Sequence, residues 1–140
     1  MNIVDANVLL YAVNEDARQH ELARSWLDRA LGGTESTGFA WIALIAFLRV
    51  STSQVFSRPY DPAEAIEVVE TWLGAPSSVI VEPTARHLAL LSGLLAPLGS
   101  AANLVNDAHL AVLAVEHGGR VISFDHDFGR FPGVSWGEPE

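Results

Sequence analysis

Four aspartates of this chain occupy positions that suit a metal-dependent phosphodiesterase. Asp5 and Asp125 each follow a short apolar run typical of a β-strand, Asp127 comes two residues later, and Asp107 lies near the start of a predicted helix. Ligands of open α/β sheets bind beyond the carboxyl ends of the strands, so acids that are distant in sequence can meet there. Carboxylates brought close together repel one another unless a cation lies between them. The four acids therefore predict a divalent-metal site.

The expected cation is Mg²⁺, with Mn²⁺ as the alternative, because hard cations prefer carboxylate oxygen. Such an ion activates a water molecule for attack on phosphorus and neutralises charge on the attacked and leaving oxygens. Asn7 and Ser123 are predicted to orient the carboxylates by hydrogen bonds. Local turn bonding explains these two residues equally well, and each aspartate taken alone fits a helix cap or a turn. The recurrence of acids at similar junctions is what favours a metal site.

Candidate contacts to a phosphate backbone come from three arginines and one histidine. Arg49 ends an apolar helix, Arg58 lies in a predicted loop, and Arg130 and His126 flank the last aspartate. A guanidinium group binds phosphate through paired hydrogen bonds. A solvated or salt-bridged side chain is the usual alternative for each arginine. The remaining histidines lack the spacing of zinc ligands and are predicted to be helix-surface or packing residues: His20, His87, His109 and His117.

The composition limits the classes of protein to which the chain can belong. Its 140 residues are 49% hydrophobic, which predicts one globular domain over residues 1–140. A formal net charge of −9 argues against wide electrostatic wrapping of nucleic acid. The absence of cysteine and of lysine disfavours disulfides, thiol catalysis, P-loop sites and Schiff-base chemistry. We find no secretory signal and no membrane-spanning run, so a cytoplasmic protein is expected.

Strands and helices alternate along the chain. Strands are predicted at Asn2 to Val4, Thr37 to Phe39, Val79 to Val81, Val121 to Ser123 and Val134 to Trp136. Helices are predicted at residues 7–13, 16–31, 41–50, 62–73, from Pro83-Thr84 to about 97, and from a cap at Asn103 or Asn106 to 117. The helix at 41–50 is expected to be buried, as are the tryptophans at 26, 41 and 72. This order predicts a three-layer α/β/α domain with a mostly parallel central sheet.

Four stretches together resemble the PIN-domain ribonucleases, and specifically the VapC toxins of bacterial toxin–antitoxin pairs. They are Asp5 to Ala12, Trp41 to Thr52, Asn103 to Ala111 and Ser123 to Phe128. Each stretch alone is modestly specific, and their order and spacing make the set strongly so. The resemblance covers essentially the whole chain.

The resemblance implies a magnesium- or manganese-dependent endoribonuclease. Asp5, Asp107 and Asp125 match the metal-binding acids of the family. It also implies a cognate VapB-type antitoxin that holds the toxin inactive, a homodimer, and a structured RNA substrate such as transfer RNA or ribosomal RNA.

Two positions depart from the family pattern. Ala46 stands where the family usually has a glutamate, and Asn106 replaces a threonine often found before the aspartate. The loss of one carboxylate is expected to weaken a second metal site most. Three outcomes stay open: Asp127 compensates, the enzyme uses one ion, or the chain is a poor nuclease that binds antitoxin or RNA without efficient cleavage.

Overall fold

A computed structural model describes residues 1–140 and contains one five-stranded sheet in which all strands are parallel. The strands are β1 (Asn2–Val4), β2 (Thr37–Ala40), β3 (Ser78–Val81), β4 (Arg120–Ile122) and β5 (Trp136–Gly137). The helices are α1 (Ala6–Val13), α2 (His20–Leu31), α3 (Trp41–Ser51), α4 (Pro62–Leu73), α5 (His87–Leu95) and α6 (Val105–Glu116). Short 3₁₀ segments cover Ala96–Leu98, Ala102–Leu104 and His126–Arg130.

The strand order β3-β2-β1-β4-β5 puts a topological switch at the centre of the sheet. The chain moves outward from β1 through β2 to β3, then returns past β1 to form β4 on its other side. Val4 at the end of β1 pairs with Ile122 at the end of β4. A parallel α/β sheet binds ligands at such a switch. Residues that follow β1 and β4 therefore share the edge where a site is expected.

Two separate apolar clusters fill the space on the two faces of the sheet. Side chains of a strand alternate between faces, and neighbouring residues Ile3 and Val4 accordingly belong to different clusters. The cluster containing Val4 is completed by α1 to α4, and the cluster containing Ile3 is completed mainly by α6. The predicted three-layer arrangement is confirmed.

Several predicted helix boundaries were wrong. The second helix begins at His20 instead of Asp16, because residues 15–19 form turns and a bend. The fifth begins at His87, after an extended stretch and a turn, and ends at Leu95. Neither asparagine caps α6, whose N-cap is Leu104 without a side-chain hydrogen bond. The 3₁₀ turn before α6 leads directly into the helix, so no separate cap is needed.

The prediction that α3 is buried on all sides was also wrong. Trp41 is 48% exposed and Ile45 is 55% exposed, while Phe47 is completely buried. Residues 41 and 45 are one helical turn apart, so they share a face, and that face points away from the sheet. Trp26 and Trp72 are buried as predicted.

The start of α4 agrees with the sequence prediction. Asp61 accepts a hydrogen bond from the Glu64 amide, Glu64 accepts one from the Asp61 amide, and Pro62 is the first helical residue. None of the helices combines the length and the apolar character that crossing a lipid bilayer requires.

Candidate active site

The four aspartates come from three neighbouring junctions at the carboxyl edge of the sheet. Asp5 follows β1 and continues the ladder by donating its amide to the Ile122 carbonyl, at an N–O distance of 3.0 Å. Asp125 follows β4 after two residues, Asp127 lies in the adjoining 3₁₀ turn, and Asp107 lies in the first turn of α6. The switch point between β1 and β4 therefore gathers the predicted acids.

Three of the four carboxylates converge directly. One oxygen each from Asp107, Asp125 and Asp127 can be chosen so that all three lie within 4.8 Å of one another. All three residues are partly exposed, so an ion can reach them from solvent. Asp125 also accepts a hydrogen bond from the Asp127 amide at 2.9 Å, which fixes the spacing of these two acids.

Asp5 lies beside this group rather than within it. Its Oδ1 accepts the Ala6 amide at 2.7 Å and thereby caps α1. Its Oδ2 accepts the Ser123 hydroxyl at 2.6 Å and the Asn7 side-chain amide at 3.1 Å. The capping and metal-site explanations of Asp5 are therefore compatible, because a carboxylate has lone pairs left for a further partner.

Ser123 and Asn7 join the ends of β1 and β4. The buried Ser123 hydroxyl accepts hydrogen bonds from the Asn7 side chain at 3.0 Å and from the Asp125 amide at 2.9 Å. Asn7 in turn accepts the Phe124 amide through Oδ1 at 3.2 Å. Both residues reach across to the other segment. The Asp5 carboxylate and the Asp125 backbone are consequently held in a fixed relation.

The electrostatics of the group are those of crowded, partly desolvated acids. Burial and, to a smaller extent, the carboxylates of Asp5, Asp125 and Asp127 together raise the pKa of Asp107 to about 6. Burial also raises the pKa of Asp5, against the lowering effect of hydrogen bonds from Ser123 and Ala6. One arginine approaches the group, with Arg130 Nη1 at 3.8 Å from Asp127 Oδ1. Nearby positive charge therefore does not balance the acids.

These donors fit a small divalent cation. The converging atoms are all carboxylate oxygens, the ligands that Mg²⁺ and Mn²⁺ prefer. Two oxygens bound to the same Mg²⁺ lie at most about 4.2 Å apart, twice the bond length. The 4.8 Å bound on the group lies slightly above that limit, so the side chains would have to draw together around an ion. The partly buried Ala46 of α3 adds no carboxylate.

The four candidate RNA contacts lie in different surroundings. Arg130 pairs with Asp127, and His126 contacts Glu138 and lies 5.6 Å, centroid to centroid, from the ring of Trp136. Arg49 is exposed in the last turn of α3. Arg58 lines a separate groove of about 410 Å³ that none of the four aspartates lines. The 3₁₀ turn thus places two of the candidates beside the acids, and Arg58 opens onto another surface.

Two contacts near the acids were not predicted from the sequence. Tyr11 packs edge-on against Phe124, with ring centroids 5.3 Å apart, and Glu138 faces His126. Tyr11 lies one helical turn after Asn7, and that spacing is a signal that could have found it. Glu138 gives no comparable signal, because only the tertiary fold brings the C-terminal segment back to the 3₁₀ turn.

The whole chain is similar to known ribonucleases. The profile of the PIN domain matches residues 3–134. Ribonuclease VapC37 of Mycobacterium tuberculosis is 54% identical over 140 residues, covering 99% of this chain and 97% of the relative. Ribonuclease VapC33 of the same species is 38% identical, with 99% and 98% coverage.

Solved structures of VapBC complexes share the fold. The structure of VapBC2 from Rickettsia felis bound to promoter DNA superposes with a TM-score of 0.73, at 16% identity, over 99% of this chain and 98% of the other. VapBC-1 from nontypeable Haemophilus influenzae gives a TM-score of 0.71 at 13% identity, over 98% and 96%. At such identities the likeness speaks for the fold alone. Together with the matched profile and the 54% identity, it leads to one conclusion: this chain belongs to the VapC family of PIN-domain proteins.

Proposed function

We propose that this protein is the toxin of a toxin–antitoxin pair and a metal-dependent endoribonuclease that hydrolyses phosphodiester bonds of structured RNA, either transfer RNA or ribosomal RNA. The observation that carries the proposal is the convergence of Asp107, Asp125 and Asp127 beside Asp5 at the sheet's switch point. The ribonuclease names of relatives that match almost the entire chain support it.

The proposed ion is Mg²⁺, with Mn²⁺ as an alternative, held by Asp107, Asp125 and Asp127 with Asp5 alongside. When bound, it supplies an activated water and neutralises charge at the phosphorus centre. Asn7 and Ser123 orient the Asp5 carboxylate and the Asp125 backbone through the hydrogen bonds described above. The partial burial of the acids limits water around them, which strengthens their electrostatic interactions.

The substrate contacts that we propose are three arginines and one histidine, of which Arg130 and His126 lie beside the acids and Arg58 lies on a separate surface. Arg130 and His126 lie next to the acids in sequence and in space, and exposed Arg49 and Arg58 extend the contact to a long RNA. An arginine binds phosphate oxygens in a paired geometry. These residues would position the RNA, while the acids and the ion act on the phosphodiester bond.

The proposed partners are a cognate VapB-type antitoxin and a second copy of the chain. The VapBC structures with the same fold are complexes of toxin and antitoxin. The homodimer rests on the family resemblance and on exposed apolar residues such as Trp41 and Ile45.

The first test is the effect of Asp107→Asn on RNA cleavage in Mg²⁺. We expect a loss of at least ~100-fold, because the substitution removes a charged oxygen from the group that holds the ion. Asp28→Asn is the matched control, since Asp28 is an exposed acid of α2 whose nearest charged partner is Arg24 on the same helix. Cleavage by the Asp107 variant at the parent's rate would refute the site assignment.

A second candidate function is a binding module that retains antitoxin or RNA but cleaves poorly. The feature that favours it is Ala46, which leaves α3 without an acid at the position where the family usually has glutamate. Calorimetric titration with Mg²⁺ and Mn²⁺ separates the two functions. Measurable binding supports the nuclease, and no heat of binding at millimolar metal supports the module.

A further inference from the structure

A hydrogen-bonded series of three polar side chains, of which Glu116 is the most enclosed, links α5 to α6 on the side away from the aspartates. His87 Nδ1 lies 3.0 Å from Glu116 Oε1, and His87 Nε2 lies 2.8 Å from His109 Nδ1. The side chains of His87 and Glu116 are only 12% and 1% exposed. Removing such groups from water costs free energy unless their hydrogen bonds are made. Polar side chains enclosed in this way are therefore expected to have their hydrogen bonds made.

The hydrogen bonds among Glu116, His87 and His109 have one direction when His87 is neutral. Glu116 is a carboxylate: burial opposes its charge, but hydrogen bonds from Thr84 and the nearby His87 lower its pKa overall. It therefore accepts from His87 Nδ1–H, and also from the Thr84 amide at 3.0 Å. His87 then accepts at Nε2, and His109 donates through Nδ1. Both nitrogens of His87, both carboxylate oxygens of Glu116 and Nδ1 of His109 therefore have a partner.

The hydrogen bonds of His87 matter for the position of α5, because this helix is poorly buried. It contains no buried residue, and Leu88 is 78% exposed. All residues from 82 to 103 are at least partly exposed. Leu91, Leu94 and Leu95 contact the core cluster only with partly buried side chains. Apolar burial, the usual source of helix docking, is therefore weak here.

Helix α6 lies between the sheet and α5. Side chains advance by about 100° per residue around a helix, so Asp107 and His109 point in nearly opposite directions. Glu116 follows His109 by about two helical turns and shares its face. Asp107 thus faces the carboxyl edge of the sheet, while His109 and Glu116 face α5.

We propose that Glu116, His87 and His109 are positioning residues for the metal site: they fasten α5 to the outer face of α6 and so hold Asp107 against the repulsion of the acid cluster. This inference rests on the proposed function, because it assigns Asp107 to the metal. The fastening itself is a property of the fold and is measurable without metal.

The test combines hydrogen exchange of the metal-free protein with calorimetric Mn²⁺ binding. His87→Phe keeps a ring but removes both hydrogen bonds and leaves the Oε1 atom of Glu116 without its partner. We expect amides of α5 to exchange at least ~10-fold faster, since an unpartnered buried group costs enough to change an equilibrium by that factor. We expect Mn²⁺ affinity to fall by about 3-fold or more, as coupled sites commonly show.

Further variants keep the test decisive if His87→Phe folds poorly. Glu116→Gln retains one oxygen, which can accept from either Thr84 or His87, so it should preserve Mn²⁺ affinity better than Glu116→Ala. Leu88→Ala controls for a change on exposed α5. Val69→Ala, in the core cluster on the other face of the sheet, lowers global stability without touching α5 and should leave Mn²⁺ affinity unchanged.

Each result decides a separate claim. Unchanged exchange of α5 in His87→Phe and Glu116→Ala would overturn the fastening. Faster exchange with unchanged Mn²⁺ affinity would overturn the positioning role and leave the proposed function intact. A parent protein that binds no Mn²⁺ would overturn the proposed metal site and the positioning role together, while exchange would still report on the fastening.

Discussion

Asp107 is the residue at which the cost of assembling the site is greatest. Burial and three neighbouring carboxylates act on it in the same direction, and its pKa rises from 3.8 to about 6. Asp5 is more enclosed, but hydrogen bonds from Ser123 and Ala6 partly compensate it. Asp107 accepts no comparable hydrogen bond, so a bound cation would stabilise the charged form of this carboxylate most. Its charge should therefore dominate how the metal-free protein responds to pH.

The stability of the metal-free protein should fall as pH rises from about 4 to above 6. Between these values the folded state holds a proton on Asp107 that the unfolded chain has released. The contribution of Asp107 to the free energy of unfolding is therefore fully present below pH 3.8, and it is lost as the pH rises through about 6. After allowance for solvent screening, we expect about 1 kcal/mol. Melting temperatures in chelator from pH 4 to 8 would measure this, and Asp107→Asn should flatten that part of the curve.

At the scale of elements, the same residues cap helices and approach the proposed ion. Asp5 is the single residue between β1 and α1 and caps the helix. Asp125 caps the 3₁₀ turn that contains Asp127. Short connections of this kind leave little freedom for the carboxylates. Elements that give no residue to the acid group should affect stability without affecting the chemistry, and α4 provides the clearest case.

Asp61→Ala should destabilise the protein by about 1 kcal/mol, because it removes the side chain that accepts the Glu64 amide in the capping box at the start of α4. RNA cleavage at a temperature well below melting should stay at the parent's level, since Asp61 is outside the acid group. Chemical denaturation and a cleavage assay on the same preparation would check this. A large loss of cleavage in a folded Asp61→Ala protein would indicate that α4 affects the site.

At the scale of the whole molecule, the protein carries a formal net charge of −9 and concentrates four acids at one sheet edge. Repulsion among like charges opposes the compact state. A divalent ion that binds the folded but not the unfolded chain counteracts this by mass action. Metal binding and folding are therefore expected to be coupled.

Adding Mg²⁺ or Mn²⁺ at about 100 times its dissociation constant should stabilise the parent by about 2.7 kcal/mol. Asp107→Asn and Asp127→Asn should gain less, because each removes a charged oxygen from the converging group. Thermal melting against metal concentration, at constant ionic strength, measures the difference. Equal stabilisation of parent and variants would show that the ion binds elsewhere.

The sequence alone determined the class of fold, the order of helices and strands, and which acids lie near strand ends and helix starts, because these depend on local periodicity and on residue types. It also located the capping box of α4 through Asp61, Pro62 and Glu64. The predicted burial of Trp41 and the predicted starts of α2 and α5 were wrong. Helix packing and turn geometry depend on contacts between elements, which local patterns do not contain.

Only the tertiary structure decided which carboxylates converge and which polar groups support them. It put Asp107, Asp125 and Asp127 in one group, with Asp5 beside it and bonded to Ser123. It also joined His87, His109 and Glu116, which are scattered over 30 positions of the chain. The reason is physical: distances of a few ångströms depend on strand order and helix crossing, and these follow from burying two apolar clusters at once.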